Sequence, residues 1–262
     1  MKAQKLLGVI ACILFVLCLA GCASGGSSST STDYADDEAM QIISKGWCQR
    51  SKLVDGLKST DDDYQTKLKA AVQTEIDNDA ALRNRPFENG QMQEDVIAYL
   101  NALDDSMDVL NNYSVGTLDY STAWDKVYDR RTRLLKKFVN EYGFTVDSKY
   151  QDTLDKLVAN GTAADMKANQ KQAIDDLIAN ASWQTDESHG SYTYSAVIEN
   201  TSDYDFKNVG LIVGLYDADG VKSENYANVN SWKKGEKVKF ETHSSTSAER
   251  ISAEVSYYDV AD

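Results

Sequence analysis

Few residues of this 262-residue chain have the type and spacing to do chemistry. His189 and His243 lie in polar stretches with no cysteine near either, and a His/Cys metal site needs at least three suitable ligands. Both read as surface histidines. Asp217-Ala218-Asp219-Gly220 sets two carboxylates beside a glycine. An EF-hand loop, however, places its glycine at position 6 after acids at 1, 3 and 5. The spacing reads instead as a hairpin turn with Gly220 at positive φ, with weak calcium affinity at its tip left open. Neither a Gly-x-Ser-x-Gly element nor a glycine-rich phosphate loop occurs. No catalytic residue, cofactor or metal ligand is assigned, and the chain reads as a non-enzyme. An envelope enzyme using paired carboxylates is kept as an alternative, recognisable by two inward-facing acids that share a cleft and have raised pKa values.

Two features invite a binding role. Lys126, Arg130, Arg133 and Lys137 step by four, three and four along one helix face, apart from Trp124, Val127, Leu134 and Phe138. The row reads as a solvated face paired with Asp125, Asp129 and neighbouring acidic helices, or as a docking face for anionic wall polymer or lipid headgroups. Tyr258 follows an expected inward Tyr257, so it is expected to point outward as a contact residue. Cys48 follows Trp47 on an apolar stripe and reads as a buried small hydrophobe rather than a reactive thiol.

The amino terminus carries the most specific signal. Lys2 and Lys5 precede an apolar run from Leu6 to Ala20, shorter than the roughly 20 residues of a spanning helix. It ends in Leu19-Ala20-Gly21-Cys22. These four residues resemble the lipobox of bacterial lipoproteins, whose cysteine sulfur receives a diacylglyceryl group before a peptidase cuts ahead of it. The resemblance implies a signal peptide at 1–21, lipid attachment at Cys22 and an address on the outer face of the cytoplasmic membrane. Residues 22–32, rich in Gly, Ser and Thr, read as a flexible tether.

The rest divides by period. Over 33–182 the apolar spacing is helical. Met40, Ile43, Trp47, Val54 and Leu57 share one stripe, and Tyr64, Leu68, Val72 and Ile76 another, ended at Arg83-Asn84-Arg85-Pro86. Further helices are expected over about 90–113 and 121–142. Two shorter ones follow, the first stopping at Gly161 and the second capped by Thr162 and Asp165. Short connections favour an antiparallel bundle, with an extended array of helical hairpins as the alternative. Over 183–262 the period becomes 2, as in Tyr192, Tyr194, Ala196 and Ile198, and again in Val209, Leu211, Val213 and Leu215. Five or more short strands with turns between them predict a small immunoglobulin-like β-sandwich, so the expected fold is α + β in separate domains. Val213-Gly214-Leu215-Tyr216-Asp217 resembles the signature of FxLYD domains, immunoglobulin-like modules common in Gram-positive surface lipoproteins. The departure from that signature is valine at 213.

Composition bounds the role. A net charge of −14, with 27 basic residues against 41 acidic ones, argues against binding nucleic acid phosphates. Together these readings predict a membrane-anchored extracytoplasmic lipoprotein, a non-catalytic binding or spacer module at the cell envelope. Its expected partners are the membrane, through diacylglyceryl-Cys22, and an envelope protein or wall component, with no nucleic acid. A ligand-capturing lipoprotein of a transporter is the other alternative.

Overall fold

The computed structural model describes residues 33–261. The signal segment, Cys22 and the tether lie outside the described residues. The chain is α + β, with five α-helices followed by an antiparallel sheet region.

Helix α1 (Asp36–Val54) has Asp36, Asp37 and Glu38 in its first turn, where the positive end of the helix dipole favours them. The Asp36 carboxylate also accepts the Glu88 and Asn89 amides, each at 2.8 Å, and so ties the start of α1 to the segment 88–89. Helix α2 (Tyr64–Asp79) tightens into a 3-10 turn at Ala80–Asn84 before Pro86. Helix α3 (Gly90–Asn112) is capped by the Asn89 side chain, which accepts the Met92 amide at 3.1 Å. Helix α4 (Leu118–Glu141) is capped by Thr117, so it starts earlier than the Ser121 that apolar spacing suggests. Ala39, Ile43 and Trp47 of α1 pack with Val96, Tyr99 and Leu103 of α3 and Leu135 and Phe138 of α4 in one core.

Helix α5 (Gln151–Ala179) corrects the expectation of two short helices. Gly161 does not end a helix. It is buried where a Cβ would stand 2.3 Å from the Thr132 carbonyl oxygen of α4. Thr162 does not cap one either, since its hydroxyl donates to the Val158 carbonyl at 3.0 Å. Gly161 is therefore a close-packing glycine, a use that sequence alone does not separate from a stop. The far end of α5 serves another core, because Ile174 and Ile178 pack among the strand residues.

The strands are β1 (Gln184–Ser188), β2 (Ser191–Glu199), β3 (Phe206–Tyr216), β4 (Lys222–Trp232), β5 (Lys237–Ser244) and β6 (Arg250–Val260). They form two three-stranded antiparallel sheets, ordered β1-β2-β5 and β4-β3-β6. Tyr194 and Ala196 of β2, Val209 to Leu215 at alternate positions of β3, and Phe240 of β5 fill the core. Trp232 meets Phe240 edge to face at 5.4 Å.

The expected roles of Tyr257 and Tyr258 are reversed. Ile251, Ala253 and Val255 pack inward, but the β3–β6 register shifts between Gly210 and Leu211, where Gly210 faces Tyr257 and Leu211 faces Val255. One extra residue in β6 flips the alternation. Tyr257 is 56% exposed and lies across Gly210, whereas Tyr258 packs edge to face on Phe206 at 5.7 Å. Tyr258 is thus a partly buried core residue and not the outward contact that the alternation implies.

Candidate functional site

The basic row on α4 joins helices. Arg130 pairs with Asp105 of α3. Arg133 and Lys136 share Asp165 of α5, at 2.6 and 2.7 Å. Lys137 pairs with Asp95 of α3 at 2.7 Å, and that carboxylate also accepts the Tyr142 hydroxyl at 2.6 Å. Of the four residues singled out, Lys126 alone has no carboxylate within 4.0 Å among the described residues. The row therefore offers little uncompensated charge to a ligand.

Beneath it lies a charged cluster that apolar stripes do not reveal. Glu75 of α2 is fully buried. It accepts from Arg50 of α1 at 2.9 Å, from Arg131 of α4 at 3.1 Å through both oxygens, and from the Tyr99 hydroxyl of α3. Burial pushes the Glu75 carboxyl upward, but Arg131 and Arg50 hold it below its ordinary range. Asp79, one turn on and also buried, has no such guanidinium bond. Burial, and then the Glu75 charge, push its carboxyl up to about 8. A signal for the pair exists in the residue spacing: Leu68, Val72, Glu75 and Asp79 step by four, three and four, which puts two acids on the buried stripe. These acids meet inside the helical core and line none of three surface grooves of the described helical residues, one beside α1, one beside Asp165 and one beside Asp108.

The largest of those grooves lies between α1 and the segment 143–150. Its volume is about 570 Å³. Met40, Ser44, Lys45, Cys48 and Lys52 line one side, and Thr145, Asp147, Lys149 and Tyr150 the other. Local chemistry fixes the second wall. Gly143 adopts φ 69° after α4, and the Phe144 amide returns to the Phe138 carbonyl at 3.0 Å. The Ser44 hydroxyl donates to the Thr145 carbonyl at 2.6 Å and pins the segment to α1. Trp47 meets Tyr150 edge to face at 6.0 Å below. The Lys149 ammonium stands 4.3 Å over the Tyr150 ring.

Charge distinguishes this groove. Among the described residues no carboxylate lies within 4.0 Å of the Lys45, Lys52 or Lys149 ammonium groups. Asp147 is the one acid in the lining. Residue spacing gives no warning of this arrangement, because much of its second wall, residues 143–147, is a loop without periodic signal ahead of the 3-10 turn at Ser148–Tyr150. Cys48 is half-buried, packed against the helical core with one side lining the groove. In the β region, Asp217 builds the turn expected there, accepting the Asp219 and Val221 amides at 3.0 and 2.9 Å, with Gly220 at φ 78°. His189 and His243 are exposed. No group of three or more potential metal ligands converges among the described residues.

No protein-family model matches the chain, and no curated protein matches it. Among solved structures it is similar to the Pseudomonas fluorescens alkylpurine DNA glycosylase AlkC bound to DNA containing an abasic site analog. Identity is 8%, over 86% of this chain and 75% of that one, with a TM-score of 0.23. These findings correct the expected role and partners. The structure matched is a DNA-bound enzyme, and nothing compared with the chain supports a non-catalytic envelope lipoprotein, its alternatives, or partners chosen to exclude nucleic acid. At so low a TM-score the likeness carries no argument for glycosylase activity either.

Proposed function

We propose that the helical region binds a small anionic ligand, bearing carboxylate or phosphate, in the groove between α1 and the segment 143–150. The observation that carries this reading is the convergence of Lys45, Lys52 and Lys149 without carboxylate partners in a chain of net charge −14. On α4 the same residue types are neutralised by interhelical acids, so the groove holds basic charge that the fold itself leaves available. Its volume falls in the range of roughly 300–1,000 Å³ usual for small-molecule sites.

Inorganic pyrophosphate and citrate at low ionic strength are the probes. A ligand at about 100 times its Kd stabilises the folded state by about 2.7 kcal/mol, a rise of several degrees in Tm for a chain of this size. The Lys45→Gln, Lys52→Gln, Lys149→Gln triple variant is expected to keep its own Tm, since the three side chains are exposed, and to lose the ligand-induced rise. An equal rise in the variant, or none in the parent chain with either probe, overturns the assignment.

We also propose, on the sequence alone, that the chain is exported and acylated at Cys22 of Leu19-Ala20-Gly21-Cys22. A Cys22→Ser variant expressed in a bacterium is then expected to incorporate no labelled fatty acid and to keep its signal segment. Labelling equal to the parent chain would sink that reading. The FxLYD-like, immunoglobulin-like reading of the two sheets has further support. Val213 and Leu215 face the core, Gly214 lies where a Cβ would meet Ser252 at 2.6 Å, and Asp217 organises the following turn.

A further inference from the structure

Asp79 is the anomaly of the helical core. Its side chain lies between α1 and α2, and the α1 backbone at Gly46 comes so close that a Cβ there would stand 2.6 Å from Oδ1. Oδ1 accepts from Asn78 at 2.9 Å, and the same Asn78 amide donates to the Ile42 carbonyl of α1 at 2.8 Å. Oδ2 is buried and has no partner. A carboxylate in this position would be a desolvated charge with half its acceptors unused, one helical turn from ionised Glu75. A carboxylic acid there is neutral and far less costly.

Every element packed around it bears on its charge. On α2 itself the neighbours are Glu75 and Asn78. Arg131 of α4 favours ionisation, but its guanidinium is engaged with Glu75 and stacked 5.6 Å over Tyr99 of α3. Arg50 of α1 is bonded to Glu75. Arg83 of the 80–84 turn is directed to Asn101 and Asp104 of α3.

We infer that Asp79 is a buried acid latch: protonated in the folded chain, it seats α1 on α2, and its ionisation as pH rises weakens that seat. Asp79 of the folded chain titrates at about 8, whereas an aspartate in the unfolded chain titrates near 3.9. Between these limits the folded chain holds one proton more than the unfolded chain. Stability from this group is therefore full below about pH 4, falls as pH rises, and levels off above about pH 8. The cluster's other members do not change charge in that window. Glu75 is held low and Tyr99 is pushed well above its usual value by burial, and a guanidinium such as that of Arg50 or Arg131 stays protonated in a protein.

The test is urea unfolding of the chain and of Asp79→Asn at pH 5, 6, 7 and 8. The unfolding constant of the parent divided by that of the variant is expected to rise about tenfold per pH unit from pH 5 to 7 and about fivefold from pH 7 to 8. His189 and His243, exposed and far along the chain from residue 79, are expected to cancel in the ratio. A ratio that stays constant across the series overturns the inference. Carbon-detected titration of aspartate carboxyls in the parent chain decides independently, even if the variant does not fold. One carboxyl with a midpoint near 8 supports the latch, and all midpoints below pH 5 overturn it.

Discussion

Replacing Glu75 with alanine is expected to lower the stability of the chain by about 3–5 kcal/mol, more than the loss of any exposed charge. The variant deprives Arg50 and Arg131, 9% and 6% exposed, of the carboxylate they bond and strips the Tyr99 hydroxyl of its acceptor. Most of the loss comes from those stranded groups, not from the energy of the pairs themselves. Exposed pairs such as Arg130 with Asp105 contribute under about 1 kcal/mol by comparison, since water screens them. Urea unfolding at neutral pH measures the change, which corresponds to a drop in Tm on the order of 10 °C. A loss below about 1 kcal/mol would mean that the two guanidiniums reach solvent and that the cluster is not closed.

The second large effect is one of sign. At an unhindered position inside a helix, glycine to alanine stabilises by about 1 kcal/mol. Gly161→Ala is expected to do the reverse, by about 1–3 kcal/mol, and Gly161→Val to do so more strongly. The added Cβ would stand 2.3 Å from the Thr132 carbonyl oxygen and 2.7 Å from its carbon. Those are backbone atoms in the middle of α4, so no side chain can turn aside, and α4 and α5 must move apart as bodies. Thermal unfolding of both variants reads the outcome. An alanine variant as stable as the parent would show that the two helices are not in this contact.

Much of the fold is legible where one local signal suffices. Helix α3 is expected from its spacing over about 90–113 and spans Gly90–Asn112, because its apolar rows and the polar residue ahead of it agree. The alternation in β3 likewise marks residues with one face in the core. Legibility fails where the deciding partner is distant. Gly161 carries the same letter whether it ends a helix or admits another helix against it. Spacing assigns Asp165 to a capping box, but its partners are Arg133 and Lys136, about thirty residues earlier in the chain. Tyr257 and Tyr258 exchange roles through a bulge that no pattern in β6 announces. The binding candidates follow the same rule. The α4 row is visible as a face, but its acids come from α3 and α5, and the lysines of the groove are scattered between α1 and a loop.

The continuity of α5 bears on how the molecule must be handled and how it comes apart. Leu154 belongs to the helical core and Ile174 and Ile178 to the strand core, on a single rod without a break. A fragment cut at 182, where the residue pattern changes, would strip the strands of two enclosed side chains and leave the helices with an apolar tail. The two halves share a structural member, as two rooms share a beam. Loosening one end of that beam is expected to unseat side chains of the core at the other end.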